Sequence, residues 1–204
     1  IPLTPSKAFK RVFVHWAAEH FDWPNMGYDE LFSVNKVLNE DDFPPLELLH
    51  FLLIELKLGR HYKGQFKITK RGSELLANPT QLLNTLVPFF ILKMDHSSYS
   101  RSSEQPFGKW DVWLNVLNVE IENAATEVEL YKVFYGPLSD GPMAWRATSA
   151  FYCCVLRPLC WAGVLLEHWD QGSKRSEAVY LKTPLWAAWL QLDTDNIVQP
   201  AQRH

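Results

Sequence analysis

The chain has 204 residues, 47% of them apolar, which is enough for one large hydrophobic core or two small ones and too many for a disordered protein. Nine Trp and twelve Phe supply large side chains to anchor such cores. A formal net charge of −3 gives no overall sign of a nucleic-acid partner.

No uninterrupted apolar run reaches about eighteen residues, which argues against a membrane span. The opening Ile1-Pro2-Leu3-Thr4-Pro5 lacks the charged and apolar regions of a secretory signal. Cys153, Cys154 and Cys160 sit in one apolar run, and an odd, clustered set suits a reducing cytoplasm better than a disulfide framework. The expected location is therefore cytoplasmic.

From Ser6 to about Glu19, the spacing of Phe9, Val12, Phe13, Trp16 and Ala17 predicts an amphipathic helix with Lys7, Lys10 and Arg11 on its other face. A turn-rich stretch, Phe21 to Gly27, precedes a second helix that starts near Asp29 and runs through Leu31, Phe32, Val34 and Val37-Leu38. Glu40-Asp41-Asp42 reads as a solvated acidic loop.

Pro44-Pro45 then fixes the entry to an apolar run from Leu46 to Leu58, too long for an ordinary strand and free of internal Gly or Pro. Apolar residues point in nearly every direction around this helix, so it is expected to be buried on most sides. After Gly59, Arg60-His61-Tyr62 and Phe66-Lys67-Ile68 read as two strands joined through the Gly-containing turn Lys63-Gly64-Gln65. Thr69 is placed to cap a helix from Lys70 to Ala77.

This helix, hairpin and Thr-capped helix resembles the end of a winged-helix domain of the MarR-like branch. The resemblance rests on Leu56-Lys57-Leu58, the basic hairpin, and Ile68-Thr69-Lys70-Arg71-Gly72 followed by Leu75-Leu76, where many such regulators carry Leu-Thr-x-x-Gly-x-x-Leu. Lys57 departs from the pattern, standing where those proteins usually end the helix with Gly. The stretch also looks similar to segments of uncharacterised bacterial proteins, which implies a fold and no activity. In the DNA-binding relatives that the resemblance implies, the wing touches the backbone while the preceding helix enters the major groove.

Further on, Asn78-Pro79-Thr80-Gln81 reads as a capped start to a helix through Lys93, interrupted by Pro88. The Ser-rich passage from Asp95 to Pro106 is the expected linker. Its adjacent Asp, His and Ser do not suggest a catalytic triad, which is assembled from distant positions. Two helices are expected on either side of Ala124-Ala125-Thr126, then apolar helical segments from Trp145 to Leu156 and from Leu159 to Leu166, hinged at Pro158.

The opening pattern then recurs. Trp161 to Glu167 resembles the Gly-containing end of a winged-helix third helix, His168-Trp169-Asp170 can start a strand, Ala178 to Lys182 can return, and Thr183-Pro184 repeats the cap. Val164 aligns with Leu58 at an offset of 106 and Thr183 with Thr69 at 114, so the second hairpin is eight residues longer. The expected architecture is a mainly helical α+β chain with two winged-helix-like units bearing short β-hairpin wings, 1–94 and 107–192. A linker, 95–106, joins them and a tail, 193–204, follows.

The sharpest functional signal is local charge. Lys57, Arg60, Lys63, Lys67, Lys70 and Arg71 fall in fifteen residues without an acid, a local +6, which leaves −9 for the rest of the chain. With His61 they form the candidate nucleic-acid contact. The helix before them offers mainly Glu47, His50, Glu55 and Lys57, a poor set for reading bases, so backbone contact is expected rather than sequence recognition. The bland alternative is a solvated hairpin whose cations protect an edge strand.

No Gly-rich phosphate loop, nucleophile elbow, paired-carboxylate signature or metal-ligand spacing is present, and His50 reads as a satisfied core histidine. The expectation is a non-enzymatic regulator or adaptor of bacterial or mobile-element type, without metal or cofactor. Its partner would be DNA or, alternatively, a protein or a second copy of the chain.

Overall fold

The computed structural model describes residues 1–21, 23–99, 104–138, 141, 144–169 and 177–197. Part of the expected linker (100–103), the tip of the second hairpin (170–176) and the end of the tail (198–204) lie outside the described residues. The chain is mainly helical with small antiparallel sheets and divides into two compact units, Ile1–Phe89 and Phe90–His204.

The first unit contains α1 (Arg11–His20), α2 (Tyr28–Val34), α3 (Pro44–Glu55), β1 (Gly59–Tyr62), β2 (Gln65–Ile68) and α4 (Lys70–Leu76). Pro44 and Pro45 occupy the first turn of α3, where a missing N–H costs nothing. That helix buries Pro45, Leu46, Leu48, His50 and Leu52, while Phe51 on the opposite side is 42% exposed. It ends at Glu55, earlier than the apolar run suggests, because Lys57 turns left-handed (φ 58°) and Leu58 N–H reaches back to Leu53 O at 2.8 Å. Lys57 thus takes the backbone conformation that Gly usually supplies.

β1 and β2 pair with Arg60 opposite Lys67, His61 opposite Phe66 and Tyr62 opposite Gln65. Lys63 and Gly64 between them both have positive φ, as a two-residue hairpin turn of the primed type requires. The N-terminal residues line the other edge of β2: Leu3 N–H donates to Gly64 O at 2.9 Å and Phe66 N–H to Ile1 O at 2.7 Å.

Two further helix boundaries in the first unit differ from the sequence expectation. The first helix starts at Arg11 rather than near Ser6, because Lys7 is left-handed (φ 71°) and Leu3 bridges Phe9, holding residues 1–9 in a turn. Its buried side is Val14, Ala17 and Ala18, whereas Val12 is 85% exposed. The second helix stops at Val34, short of Leu38, which enters the core from the loop. Leu3, Phe9, Leu31, Leu38, Phe43, Leu46 and Phe66 make up much of that core.

Thr69 caps α4 by accepting the Gly72 N–H at 3.1 Å, and its hydroxyl donates to Lys57 O at 2.8 Å. A Cβ on Gly72 would strike the Leu58 carbonyl oxygen and lie 2.9 Å from Ile68 Cγ2. Gly72→Ala is therefore expected to destabilise the first unit by about 2 kcal/mol, despite alanine's better helix propensity. Urea denaturation followed by circular dichroism measures this, and an unchanged midpoint would refute the close approach.

α5 (Pro79–Lys93) runs across the division between the units. Asn78 caps it, accepting the Gln81 N–H at 3.1 Å.

The second unit contains α6 (Trp110–Glu120), β3 (Ala125–Thr126), α7 (Glu127–Tyr135), α8 (Ala144–Phe151), a π-helical turn (Tyr152–Leu156), α9 (Arg157–Trp161), β4 (Leu165–His168), β5 (Val179–Lys182) and α10 (Pro184–Trp189). Its sheet runs β3-β5-β4. Thr126 and Glu129 form a reciprocal capping box on α7. Leu117, Leu130, Phe151, Leu156, Leu159 and Tyr180 are fully buried. Asn118, also buried, accepts from Trp186 Nε1 at 2.9 Å and donates to Asp195 Oδ1 at 3.0 Å.

The expected helix from Leu159 to Leu166 does not extend that far. α9 stops at Trp161, Gly163 turns left-handed (φ 73°), and β4 begins at Leu165. The local geometry of this junction is therefore more like that of the helix–strand junction in the first unit than the sequence pattern indicates. Val164 N–H reaches Leu159 O at 2.9 Å, as Leu58 reaches Leu53, and the Thr183 hydroxyl donates to Gly163 O at 2.7 Å, as Thr69 does to Lys57 O. These two bonds agree with the alignment of Leu58 with Val164 and of Thr69 with Thr183, while the caps differ in detail, Thr69 accepting the Gly72 N–H and Thr183 the Leu185 N–H.

Candidate functional site

The β1–β2 hairpin has two chemically distinct faces, as alternation along a strand demands. On one face Arg60 lies opposite Lys67, and the Tyr62 ring lies between cations, with Arg60, Lys63 and Lys67 centred 5.4, 5.4 and 5.3 Å from it. Like charges directly across a ladder repel, and an aromatic face offsets part of that repulsion.

Lys57, Arg60, His61, Lys63, Lys67, Lys70 and Arg71, the seven residues singled out by charge, are all exposed. Lys70 is 3.9 Å from Glu74 one helical turn on, a fully solvated pair of little energetic consequence. The remaining five lysines and arginines form no ion pair among the described residues.

The other face turns toward α3. His61 Nε2 is 2.8 Å from His50 Nε2, and His50 Nδ1 is 2.6 Å from Glu40 Oε1. Glu40 Oε2 accepts the Phe9 N–H. Phe9 stacks on the His50 ring at 4.0 Å, and the Phe66 ring meets it edge-on at 5.2 Å. His50 is thus a satisfied core histidine, as its place on an apolar helix suggests.

Glu40, expected in a solvated loop, is only 4% exposed. Leu38 and Phe43 on either side of it are fully buried and carry the loop into the core, so the carboxylate must find donors there. Asp41, its neighbour, remains exposed.

Beside this chain of contacts lies a groove of about 500 Å³ whose lining includes Lys7, Ala8, Glu47, Phe51, Ile54 and His61. Partial burial, then the charges of Glu40 and Asp41, push the Glu47 carboxyl up. Loss of solvent, then His50 and Lys7, hold His61 below the ordinary imidazole value of 6.5, against the opposing pull of Glu40. His61 was visible in the sequence as part of the basic cluster, but Glu40 and the partnership of His50 with His61 were not. No helical or strand period links positions 40, 50 and 61.

Among the described residues of the second hairpin, the charged side chains in the strands have partners. Glu167 there accepts from Tyr180 Oη at 3.1 Å, and Lys182 is bound to Glu122 at 2.6 Å. A cavity of about 290 Å³ is lined in part by Asp95, His96, Ser97 and Cys154. These do not form a Ser–His–Asp chain: Asp95 itself accepts the Ser97 hydroxyl at 2.6 Å, and His96 Nε2 turns to Ile91 O at 3.3 Å. Burial pushes the Cys154 thiol up to about 11, which leaves it a poor nucleophile at neutral pH. Among the described residues no group of three or more His, Cys, Asp or Glu side chains is placed to hold a metal ion.

Fold and site together define a mainly helical α+β protein of two units, the first with an exposed basic hairpin buttressed by a buried carboxylate–imidazole pair. Residues 1–81 match the family model for the Y4jL N-terminal domain, and residues 100–184 match that for the y4jL C-terminal domain. The chain is similar to the uncharacterized protein y4jL of Sinorhizobium fredii (strain NBRC 101917 / NGR234), with 37% identity over 136 residues. That alignment covers 66% of this chain and 62% of the relative, so the chain spans less than two thirds of the relative's length. No solved structure matches. No single helix among the described residues is long and apolar enough to cross a membrane.

Proposed function

We propose that this protein is a non-enzymatic regulator or adaptor that contacts the nucleic-acid backbone through the basic hairpin of its first unit. The observation that carries the reading is the outer face of the hairpin, where Arg60, Lys63 and Lys67 crowd one tyrosine ring and form no ion pair among the described residues. Self-repulsion of this kind is relieved by an anionic partner, and release of counterions from phosphates would drive the association. The sequence of helix, hairpin and Thr-capped helix supports a winged-helix reading of the MarR-like kind. Glu47 and Glu55 are exposed on α3, so the helix would be repelled by phosphates rather than drawn into a groove to read bases.

Titration of a labelled DNA duplex at increasing salt tests this reading. With three to five phosphate contacts, the logarithm of the binding constant is expected to fall with a slope of about −3 to −5 against the logarithm of salt concentration. Absence of binding to any duplex at about 50 mM salt would reject it.

A second reading, a protein-interaction or self-association module, is favoured by Val12 and Val34, apolar residues 85% and 83% exposed in the first unit. A sharp monomer in sedimentation at high protein concentration would count against self-association.

A further inference from the structure

The outer face of the hairpin holds an aromatic ring that phosphate contact alone does not use. Strand alternation puts Arg60, Tyr62, Gln65 and Lys67 on this side, two cross-strand pairs that include no acid, and all four residues are exposed. Tyr62 is 45% exposed, and its hydroxyl has no hydrogen-bond partner among the described residues. Arg60, Lys63 and Lys67 stand 5.4, 5.4 and 5.3 Å from the ring centre. Cation–ring contacts at an exposed site are weak, so these side chains can swing onto phosphates.

The ring stands on a fixed support. His61 and Phe66, the cross-strand pair between the other two, face inward. There His61 Nε2 lies 2.8 Å from His50 Nε2, and the Phe66 ring meets Phe9 and His50 edge-on at 5.4 and 5.2 Å. The N-terminal residues bond to the other edge of β2, so the hairpin is anchored along its length and not by its turn alone.

We propose that the preferred ligand of this hairpin is a single-stranded nucleic acid, with one base stacked on Tyr62 and the adjoining phosphates bound by Arg60, Lys63 and Lys67. The inference rests on the nucleic-acid reading of the basic hairpin and names the ligand class within it. In a duplex each base face is covered by its neighbours, and Tyr62 has nothing to lie against. A single strand exposes those faces, and every base has one, so stacking of this kind is independent of sequence. Arg60 and Tyr62 are two residues apart on one strand, about 7 Å, which is about the length of one extended nucleotide. Gln65, paired across from Tyr62, carries both a donor and an acceptor for the edge of the stacked base. The preceding helix favours the same ligand. Glu47 and Glu55 are exposed on α3 and would be repelled by the phosphates bordering a duplex groove, whereas a strand lying on the hairpin does not require that helix.

Charge by itself favours the opposite outcome. Each phosphate contact contributes about 0.9 to the salt slope with a duplex and about 0.7 with a single strand. A preference for the single strand that vanishes when its bases are removed therefore identifies stacking.

The test is binding of the whole chain to three labelled ligands at about 50 mM salt. They are an oligothymidylate of about twelve nucleotides, an abasic strand of the same length and the matching blunt duplex. The oligothymidylate is expected to bind more tightly than the duplex, and at least about fivefold more tightly than the abasic strand, the lower end of what base–aromatic stacking supplies. Tyr62→Leu is expected to remove the difference between the two strands while leaving duplex and abasic affinity unchanged, and Tyr62→Trp to retain it. Oligouridylate is expected to show the same dependence on Tyr62, because stacking does not sense the sugar, and the tighter of the two strands tells DNA from RNA. A ring that only spaces the cations would instead lower all affinities alike in Tyr62→Leu, which would overturn the proposal. Equal binding of the oligothymidylate and the abasic strand, with the duplex also bound, would overturn it too and leave backbone contact standing. No binding to any of the ligands would remove both.

Discussion

Replacing Glu40 with alanine is expected to cost the first unit about 3 kcal/mol, far more than any other change in its acidic loop. The carboxylate is buried and serves two donors, the Phe9 amide and His50 Nδ1. Alanine removes both acceptors and leaves two buried N–H groups without partners, each costing about 1–3 kcal/mol, so the loss far exceeds that of a surface hydrogen bond. Phe9 also loses the contact that fixes its stacking on His50.

Glu40→Gln retains one acceptor oxygen but brings an amide donor toward a second donor, so an intermediate loss is expected. Asp41→Ala, one residue away and exposed, is the matched control and is expected to stay within about 0.5 kcal/mol of the parent. Urea unfolding monitored by tryptophan fluorescence compares the three. Equal, small losses at positions 40 and 41 would show that Glu40 is not a structural keystone.

Reversing the charge of Lys63, Lys67 and Arg71 together is expected to lower duplex affinity by a factor on the order of 10² to 10³ at about 0.1 M salt. Each phosphate contact contributes about 0.9 to the salt slope, and three lost contacts flatten that slope by nearly three. The side chains are exposed and form no ion pairs among the described residues, so the folded state is expected to tolerate the change, as circular dichroism would verify. A variant that binds as tightly as the parent, with the same salt slope, would move the interface elsewhere.

The elements most legible in the sequence were those whose causes are local. Pro44-Pro45 opens α3, Lys63-Gly64 turns the hairpin and Thr69 caps α4 through interactions that span a few residues. The same holds for Thr183 in the second unit, which made the repeat detectable despite its longer hairpin. The boundaries that moved were set by distant partners. α1 starts late because Leu3 bridges Phe9 and the N-terminus lines β2, sixty-five residues away in the chain.

Composition and spacing by themselves determined the mainly helical α+β class and the place of the positive charge, because helix caps, turns and charge runs depend on neighbours along the chain. Tertiary structure alone decided that Glu40 is buried while Asp41 is not, and that His50 meets His61. The physical reason is convergence: the acidic loop, the N-terminal segment through Phe9, α3 and the hairpin meet around Glu40 and His50, and a buried carboxylate is stable only where separate segments of the chain supply its donors.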